Sequence, residues 1–158
     1  MDKIIRVYTD GSSRGNPGPG GFGIILKFGS AVKEVSKGFR LTTNNRMELL
    51  AVIHALELIN TNQYPIHIFS DSKYVIEAID KKWVWGWQKK GFKGKKNADL
   101  WQRYLQLHPS FNITLHWVKG HAGHPENERC DVLAVEAATS QNLGVDDGYE
   151  SDKENGLF

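Results

Sequence analysis

Four acidic residues stand at the ends or starts of elements, where side chains are most able to do chemistry. Asp10 closes the first strand-like run and Glu48 lies near the start of the first helical run. Asp71 follows a short apolar strand, and Asp131 falls in the second turn of the last helix. Each has an ordinary structural reading beside the chemical one. Asp10-Gly11 is turn chemistry, and Asn45-Arg46-Met47-Glu48 fits a capping box with Glu48 reaching back. Asp71 can cap the helix after it, and Asp131 can be one more exposed helical charge. The chemical reading requires convergence. Carboxylates brought close together repel, and a hard dication with oxygen ligands, most often Mg²⁺, resolves the repulsion. Spacing alone leaves both readings open.

Convergence depends on the elements that carry these residues. Residues 3–9 alternate as a strand, and residues 10–21 (DGSSRGNPGPGG) are dense in turn formers. Residues 22–28 and 32–41 continue as an antiparallel meander. Met47, Leu50, Ala51, His54 or Ala55, and Leu58 recur at helical spacing and predict a helix over 44–60. A buried strand over 66–69, helices over 72–80 and 98–107, and a fifth strand over 112–118 follow. A last helix over 125–139 has Pro125 in its first turn. A right-handed crossover through the first helix sets the fourth strand parallel to the first and beside it. Both carboxyl ends then face one sheet edge, where open α/β sheets place their sites. Neighbouring strands lie about 4.8 Å apart, so Asp10 and Asp71 can share one dication.

Composition bounds the rest. A chain of 158 residues with 40% hydrophobic content is one domain with its own core. The single cysteine, Cys130, excludes an internal disulfide. No run approaches the ~20 apolar residues that span a bilayer, and no signal peptide is evident. A soluble, cytoplasmic monomer without membrane attachment is expected. The formal net charge of +2 conceals an asymmetry. Residues 81–97 (KKWVWGWQKKGFKGKKN) hold seven lysines and no acid, which leaves thirteen basic residues against eighteen acidic ones elsewhere, a balance of −5. A basic protrusion on an acidic body suggests a polyanion gripped at one place, with a solvated lysine face as the alternative. The interleaved Trp83, Trp85, Trp87 and Phe92 favour a folded binding element, and Trp83, Trp101 and Trp117 are expected to pack beneath it. The last residues hold five acids, one lysine and little to bury. Residues 143–158 are therefore expected to be a disordered acidic tail beyond a domain of residues 1–142.

Five separated stretches then appear in order: Tyr8-Thr9-Asp10-Gly11, the run Arg14 to Gly21, the run Thr42 to Leu49, Ser70-Asp71-Ser72, and the run Val118 to Asp131. Together they resemble bacterial ribonuclease HI, of the type 1 ribonuclease H family, over roughly residues 1–142. The resemblance implies a mixed α/β (α+β) ribonuclease H-like fold. Its five-stranded mixed sheet would have the order 3-2-1-4-5, flanked by helices, with residues 81–97 as a basic helical protrusion. It also implies an endonuclease that hydrolyses the RNA strand of an RNA–DNA hybrid and leaves 5′-phosphate and 3′-hydroxyl ends. Asp10, Glu48, Asp71 and Asp131 would be catalytic metal ligands, holding two Mg²⁺ ions with substrate, and Mn²⁺ is a possible substitute. Two ions about 4 Å apart can activate water and neutralise an already anionic phosphodiester. His121, in the Gly120-His121-Ala122-Gly123-His124 loop, would shuttle a proton or assist product release.

Substrate contacts follow from the same resemblance. RNA displays a 2′-hydroxyl, both donor and acceptor, in a wide minor groove. Amide side chains also do both, and Asn16, Asn44 and Asn45 match positions near the RNA strand. Thr43 would contribute to a phosphate pocket for the DNA strand, and the charge asymmetry, independently of the resemblance, points to Lys89, Lys90, Lys95 and Lys96 as a grip on phosphates. One position departs from the family pattern: the usual pocket Asn is Gly86 here. Other readings carry less. His121, His124 and Cys130 lack a fourth clear zinc ligand, and the Arg14 to Gly21 run has no Gly-Lys-Ser/Thr for a P-loop. A non-catalytic hybrid-binding module would be marked by a lost carboxylate, and none is lost. Integrases and junction resolvases lack the Asn44 to Glu48 run together with the lysine-rich protrusion.

Overall fold

The computed structural model describes residues 3–120 and 124–155, without the side chains of 152–155. Strands β1 (Ile5–Ser13), β2 (Gly18–Phe28) and β3 (Ala31–Thr42) form the antiparallel meander. Helix α1 (Asn44–Leu58) crosses over to β4 (Ile66–Ser70), which lies parallel to β1. Helices α2 (Lys73–Asp80), α3 (Trp83–Lys89) and α4 (Ala98–Leu107) lead to β5 (Ile113–Trp117), parallel to β4. Helices α5 (Pro125–Ala138) and α6 (Asp147–Asn155) end the described chain. The sheet order is β3-β2-β1-β4-β5. No helix among the described residues is long and apolar enough to cross a membrane.

Two faces of the sheet are covered differently. Helix α1 packs on β1 and β2 and is itself overlain by α4, so it is buried nearly all round and not only along the stripe its spacing predicts. Trp101 and Tyr104 of α4 are fully buried in the same core as Val7, Ile24, Met47, Leu49, Ile66 and Ile68. On the other face α5 packs on β1, β2 and β3. It sits so close that a Cβ on Gly23 would collide with the Cys130 carbonyl.

That closeness corrects the expected turn over residues 10–21. Strand β1 runs through Asp10 to Ser13, and β2 starts at Gly18, with Asp10 opposite Gly23 and Ser13 opposite Gly20. Gly11, Gly20 and Gly21 are strand residues without side chains, because α1 approaches one face of the hairpin and α5 the other, while Gly15, at φ 101°, stays in the turn.

The acidic tail is also corrected. Gly144 accepts from Arg40 N–H and donates to the Gly38 carbonyl, both at 2.9 Å, and forms a parallel bridge to Phe39. Asp146 is only 6% exposed, and α6 follows it. Residues 143–151 therefore pack on the folded unit, because Asp146 has a buried arginine partner in Arg46. Trp101 packs as expected, whereas Trp83 and Trp117 do not: they are 46% and 44% exposed. Lysines cover them, Lys81 over Trp83 and Lys73 over Trp117.

Candidate active site

The parallel register of β1 and β4 runs from Ile5 beside Ile66 to Tyr8 beside Phe69. Two residues further along each chain, Asp10 and Asp71 meet at the carboxyl edge of the sheet. Helix α1 brings the third carboxylate. Thr43 caps it, its Oγ1 accepting from Arg46 N–H at 3.3 Å, and Glu48 follows in the second turn. The helix reaches β1 because residue 11 is glycine: a Cβ there would collide with backbone atoms of Met47 and Glu48. One oxygen each from Asp10, Glu48 and Asp71 lie within 4.8 Å of one another.

These positions decide between the alternatives open at each residue. Glu48 does not complete a capping box, because the N-cap is Thr43 and the residue three places after it is Arg46. Ser72, not Asp71, caps α2, accepting from Val75 N–H at 3.2 Å. Asp10 lies within a strand rather than a turn.

Electrostatics follow from crowding. Burial first, then the charges of Asp71 and Asp131, push the Asp10 carboxyl up to about 8. Burial, then Asp10 and Asp71, hold Glu48 well above the ordinary carboxylate range. Glu48 Oε1 is buried with no hydrogen-bond partner among the described residues. Asp131, half-buried on α5, faces Asp10 closely enough for its charge to act there, although the compact oxygen group consists of the other three. Buried, mutually repelling oxygen donors with an unsatisfied lone pair suit a hard divalent cation. His121 lies outside the described residues.

Two residues that the sequence reading did not assign to the site hold its framework. Asn127 is buried and its Nδ2 donates to the carbonyls of Thr9 and Phe69, at 3.4 and 3.2 Å. It ties α5 to the ends of both strands that carry carboxylates. Trp117 Nε1 donates to the Asp71 carbonyl at 3.1 Å. The signal for Asn127 was its place four residues before Asp131 on one helix face.

At the start of α1 opens a cleft of about 610 Å³ lined by Asn16, Thr43, Asn45, Lys95, Lys96 and Tyr149, among others. Asn16 Oδ1 accepts from the Asn44 N–H at 3.1 Å and so fixes the start of α1 against the β1–β2 hairpin. Lys95 extends over the Trp87 ring, 4.9 Å from its centroid. Lys89 and Lys90, at the end of α3, are exposed and outside the cleft lining. The four lysines expected to act together therefore fall into two pairs.

A 3-2-1-4-5 mixed sheet with carboxylates gathered at the ends of its central parallel strands defines the ribonuclease H-like class of fold. The family model described as RNase H matches residues 2–139. Ribonuclease H of Nitratidesulfovibrio vulgaris (strain DSM 19637 / Miyazaki F) is 49% identical over 152 residues, covering 93% of this chain and 97% of that protein. A type 1 RNase H with the type 2 active-site motif superposes with a TM-score of 0.78 at 33% identity, covering 96% of this chain and 81% of that one. LC11-RNase H1, solved in complex with an RNA/DNA hybrid, superposes with a TM-score of 0.60 at 25% identity, covering 85% of this chain and 96% of that one. The chain belongs to the ribonuclease H family.

Proposed function

We propose that this chain hydrolyses the RNA strand of RNA–DNA hybrids, with Mg²⁺ held by Asp10, Glu48 and Asp71 and with Asp131 completing the set. The observation that carries this reading is the meeting of three carboxylate oxygens within 4.8 Å in a largely buried site. Bound Mg²⁺, for which Mn²⁺ can substitute, would supply an activated water and neutralise charge on the phosphate, giving 5′-phosphate and 3′-hydroxyl ends.

The chain's own residues orient and discriminate. Asp10 gives up a proton to become a ligand, since without a cation its carboxyl titrates near 8. Asn127 and Trp117 keep the strand ends in place by their bonds to Thr9, Phe69 and Asp71. Asn16, Asn44 and Asn45 offer amides for the 2′-hydroxyl of the RNA strand. Thr43, Lys95 and Lys96 receive phosphates of the DNA strand in the cleft at the start of α1, and Lys89 and Lys90 meet phosphates farther along. His121 moves a proton at the leaving or product oxygen. The hybrid-bound structure of LC11-RNase H1 supports this choice of substrate.

Labelled RNA–DNA hybrid, duplex DNA and duplex RNA, each incubated with Mg²⁺ or with chelator, test the reading. Cleavage of the RNA strand of the hybrid alone, and only with the cation, is expected. Cleavage of duplex DNA, or undiminished cleavage in chelator, would overturn it.

A further inference from the structure

The sheet face that presents Asp10 and Asp71 continues away from them along β4 and β5. Tyr8 and Phe69 stack there at 4.9 Å between ring centroids, in one small core with Cys130 and Leu133 of α5. His116 stands opposite Phe69 in the β4–β5 register and stacks on it at 4.6 Å, with 12° between the planes. His67, two residues before Phe69, stacks on His116 at 4.9 Å and 22°. Four rings thus form a ladder that ends in two half-buried imidazoles, whose Nδ1 (His67) and Nε2 (His116) face each other at 2.7 Å.

Two ring nitrogens aimed at one another hold one proton between them in this geometry. The same arrangement is nearly that of two ligands on one metal. Metal–nitrogen bonds of about 2.0–2.1 Å at a tetrahedral angle place two imidazole nitrogens about 3.3 Å apart. From 2.7 Å, that is an opening of roughly half an ångström, with each ring turned by about 35° so that both lone pairs converge on the ion. Burial first, then the neighbouring His67, holds the His116 imidazole below its ordinary value, so it is neutral at neutral pH, as a ligand must be. Imidazole donors suit late first-row dications, whereas the hard Mg²⁺ selects carboxylate oxygens. We propose that His67 and His116 form a second cation site, for a late first-row dication such as Ni²⁺ or Zn²⁺, on the sheet face beside the carboxylate centre and independent of it. Waters complete the coordination, and the bound ion ties the edge strand β5 to β4.

Ni²⁺ is the probe. It is titrated calorimetrically into the whole protein in excess Mg²⁺, with thermal melts run in parallel. Wild type is expected to take up Ni²⁺ and to melt at a higher temperature with it. Losing a mere orienting partner costs about 10- to 100-fold in metal affinity, so His67→Gln and His116→Gln should each weaken Ni²⁺ at least that much and abolish the thermal shift. His116→Phe keeps a ring in the ladder and should lose Ni²⁺ equally, which separates ligation from packing. Asp10→Asn should retain the Ni²⁺ site, and His67→Gln should retain Mg²⁺-dependent hybrid cleavage. Equal Ni²⁺ affinity in wild type and all three histidine variants would overturn the proposal, and so would loss of Ni²⁺ binding in Asp10→Asn.

Discussion

Arg46 and Asp146, one hundred residues apart in sequence, form a two-bond ion pair: Nε to Oδ2 at 2.7 Å and Nη2 to Oδ1 at 2.8 Å. Asp99 closes on the other edge of the same guanidinium at 2.8 and 2.7 Å, Asn97 takes a longer bond at 3.4 Å, and Thr42 donates to Asp146. Every N–H of the guanidinium is used, in the forked geometry that only arginine offers. The network joins α1, α4 and the segment leading into α6, and Arg46, Asn97 and Asp99 form part of the cleft wall. Removing one partner strands buried charge, which typically costs about 3–5 kcal/mol. Asp146→Ala and Arg46→Met should therefore lower the melting temperature by roughly 6–20 °C, at about 2–4 °C per kcal/mol for a chain of this size. Arg46→Lys should rescue little, having no fork. An unchanged melt of Asp146→Ala would mean that the C-terminal segment is not docked by this pair.

Asp10→Asn should abolish cleavage and leave hybrid binding, measured in Ca²⁺, within a few fold. Asp71 and Asp131 act on the Asp10 carboxylate, and Asp10 in turn acts on Glu48. Losing its charge weakens every cation bound beside it, while contacts along the cleft remain. Wild-type-like turnover of this variant would sink the carboxylate assignment.

The same crowding sets a pH dependence of stability in chelator. Asp10 titrates near 8 in the native chain against an ordinary 3.8 when unfolded. Between those values the native state keeps a proton that the unfolded state has released. The contribution is full below the unfolded value and is lost as pH rises through the native one. Glu48 shifts in the same direction. Melting temperatures in EDTA should thus fall from pH 4 toward pH 8 from these groups. Asp10→Asn should flatten that fall and be more stable than wild type at pH 8. Adding Mg²⁺ should restore wild type more than the variant. A melt of Asp10→Asn at pH 8 in EDTA below that of wild type would contradict the charge argument.

The carboxylate centre was legible because its parts sit in local motifs and a crossover rule brings the strand ends together. What escaped reading depends on distant partners. Asp146 resembles any tail acid until Arg46 is placed beneath it, 100 residues away. Gly11, Gly20 and Gly21 have turn composition, and only the closeness of α1 and α5 shows that they are strand residues relieved of side chains. Trp83 has the composition of a core residue, yet its place at the start of α3 leaves it under Lys81 at the surface. The ring ladder needs the β4–β5 register, which no local pattern encodes.

Gly86→Asn should tighten hybrid binding. Gly86 lies inside α3, and a Cβ there meets nothing within 4 Å. Asn fits without collision, in a helix that slightly favours it over glycine. A new side-chain hydrogen bond to a phosphate contributes about 0.5–1.5 kcal/mol, or roughly 2- to 13-fold in affinity. The Michaelis constant should fall by that factor with turnover little changed. Unchanged binding would mean that the DNA strand does not pass over this turn of α3.

The lysine-rich segment should act as a grip in two unequal parts. Lys95 and Lys96 line the cleft with Thr43 and Asn45, whereas Lys89 and Lys90 project from the end of α3 outside it. Each phosphate neutralised contributes a slope of about −0.9 to the logarithm of affinity against the logarithm of salt on duplex DNA. Replacing all four by Gln should flatten that slope by roughly 2 to 3 units, and replacing either pair by about half as much. The pairs should differ in another respect. Lys95 and Lys96 line a formed cleft with Thr43 and Asn45, so their loss should raise the Michaelis constant even at high salt. Lys89 and Lys90 act through long-range attraction, which salt screens within about 8 Å at physiological ionic strength. Their loss should be visible only at low salt. Turnover at saturating hybrid should stay within a few fold in both variants, since none of these lysines touches the carboxylates. A slope unmoved in the fourfold variant would reduce the lysines to a solvated face. Collapsed turnover in Lys95→Gln/Lys96→Gln would instead mean that the cleft positions the scissile phosphate as well as holding the strand.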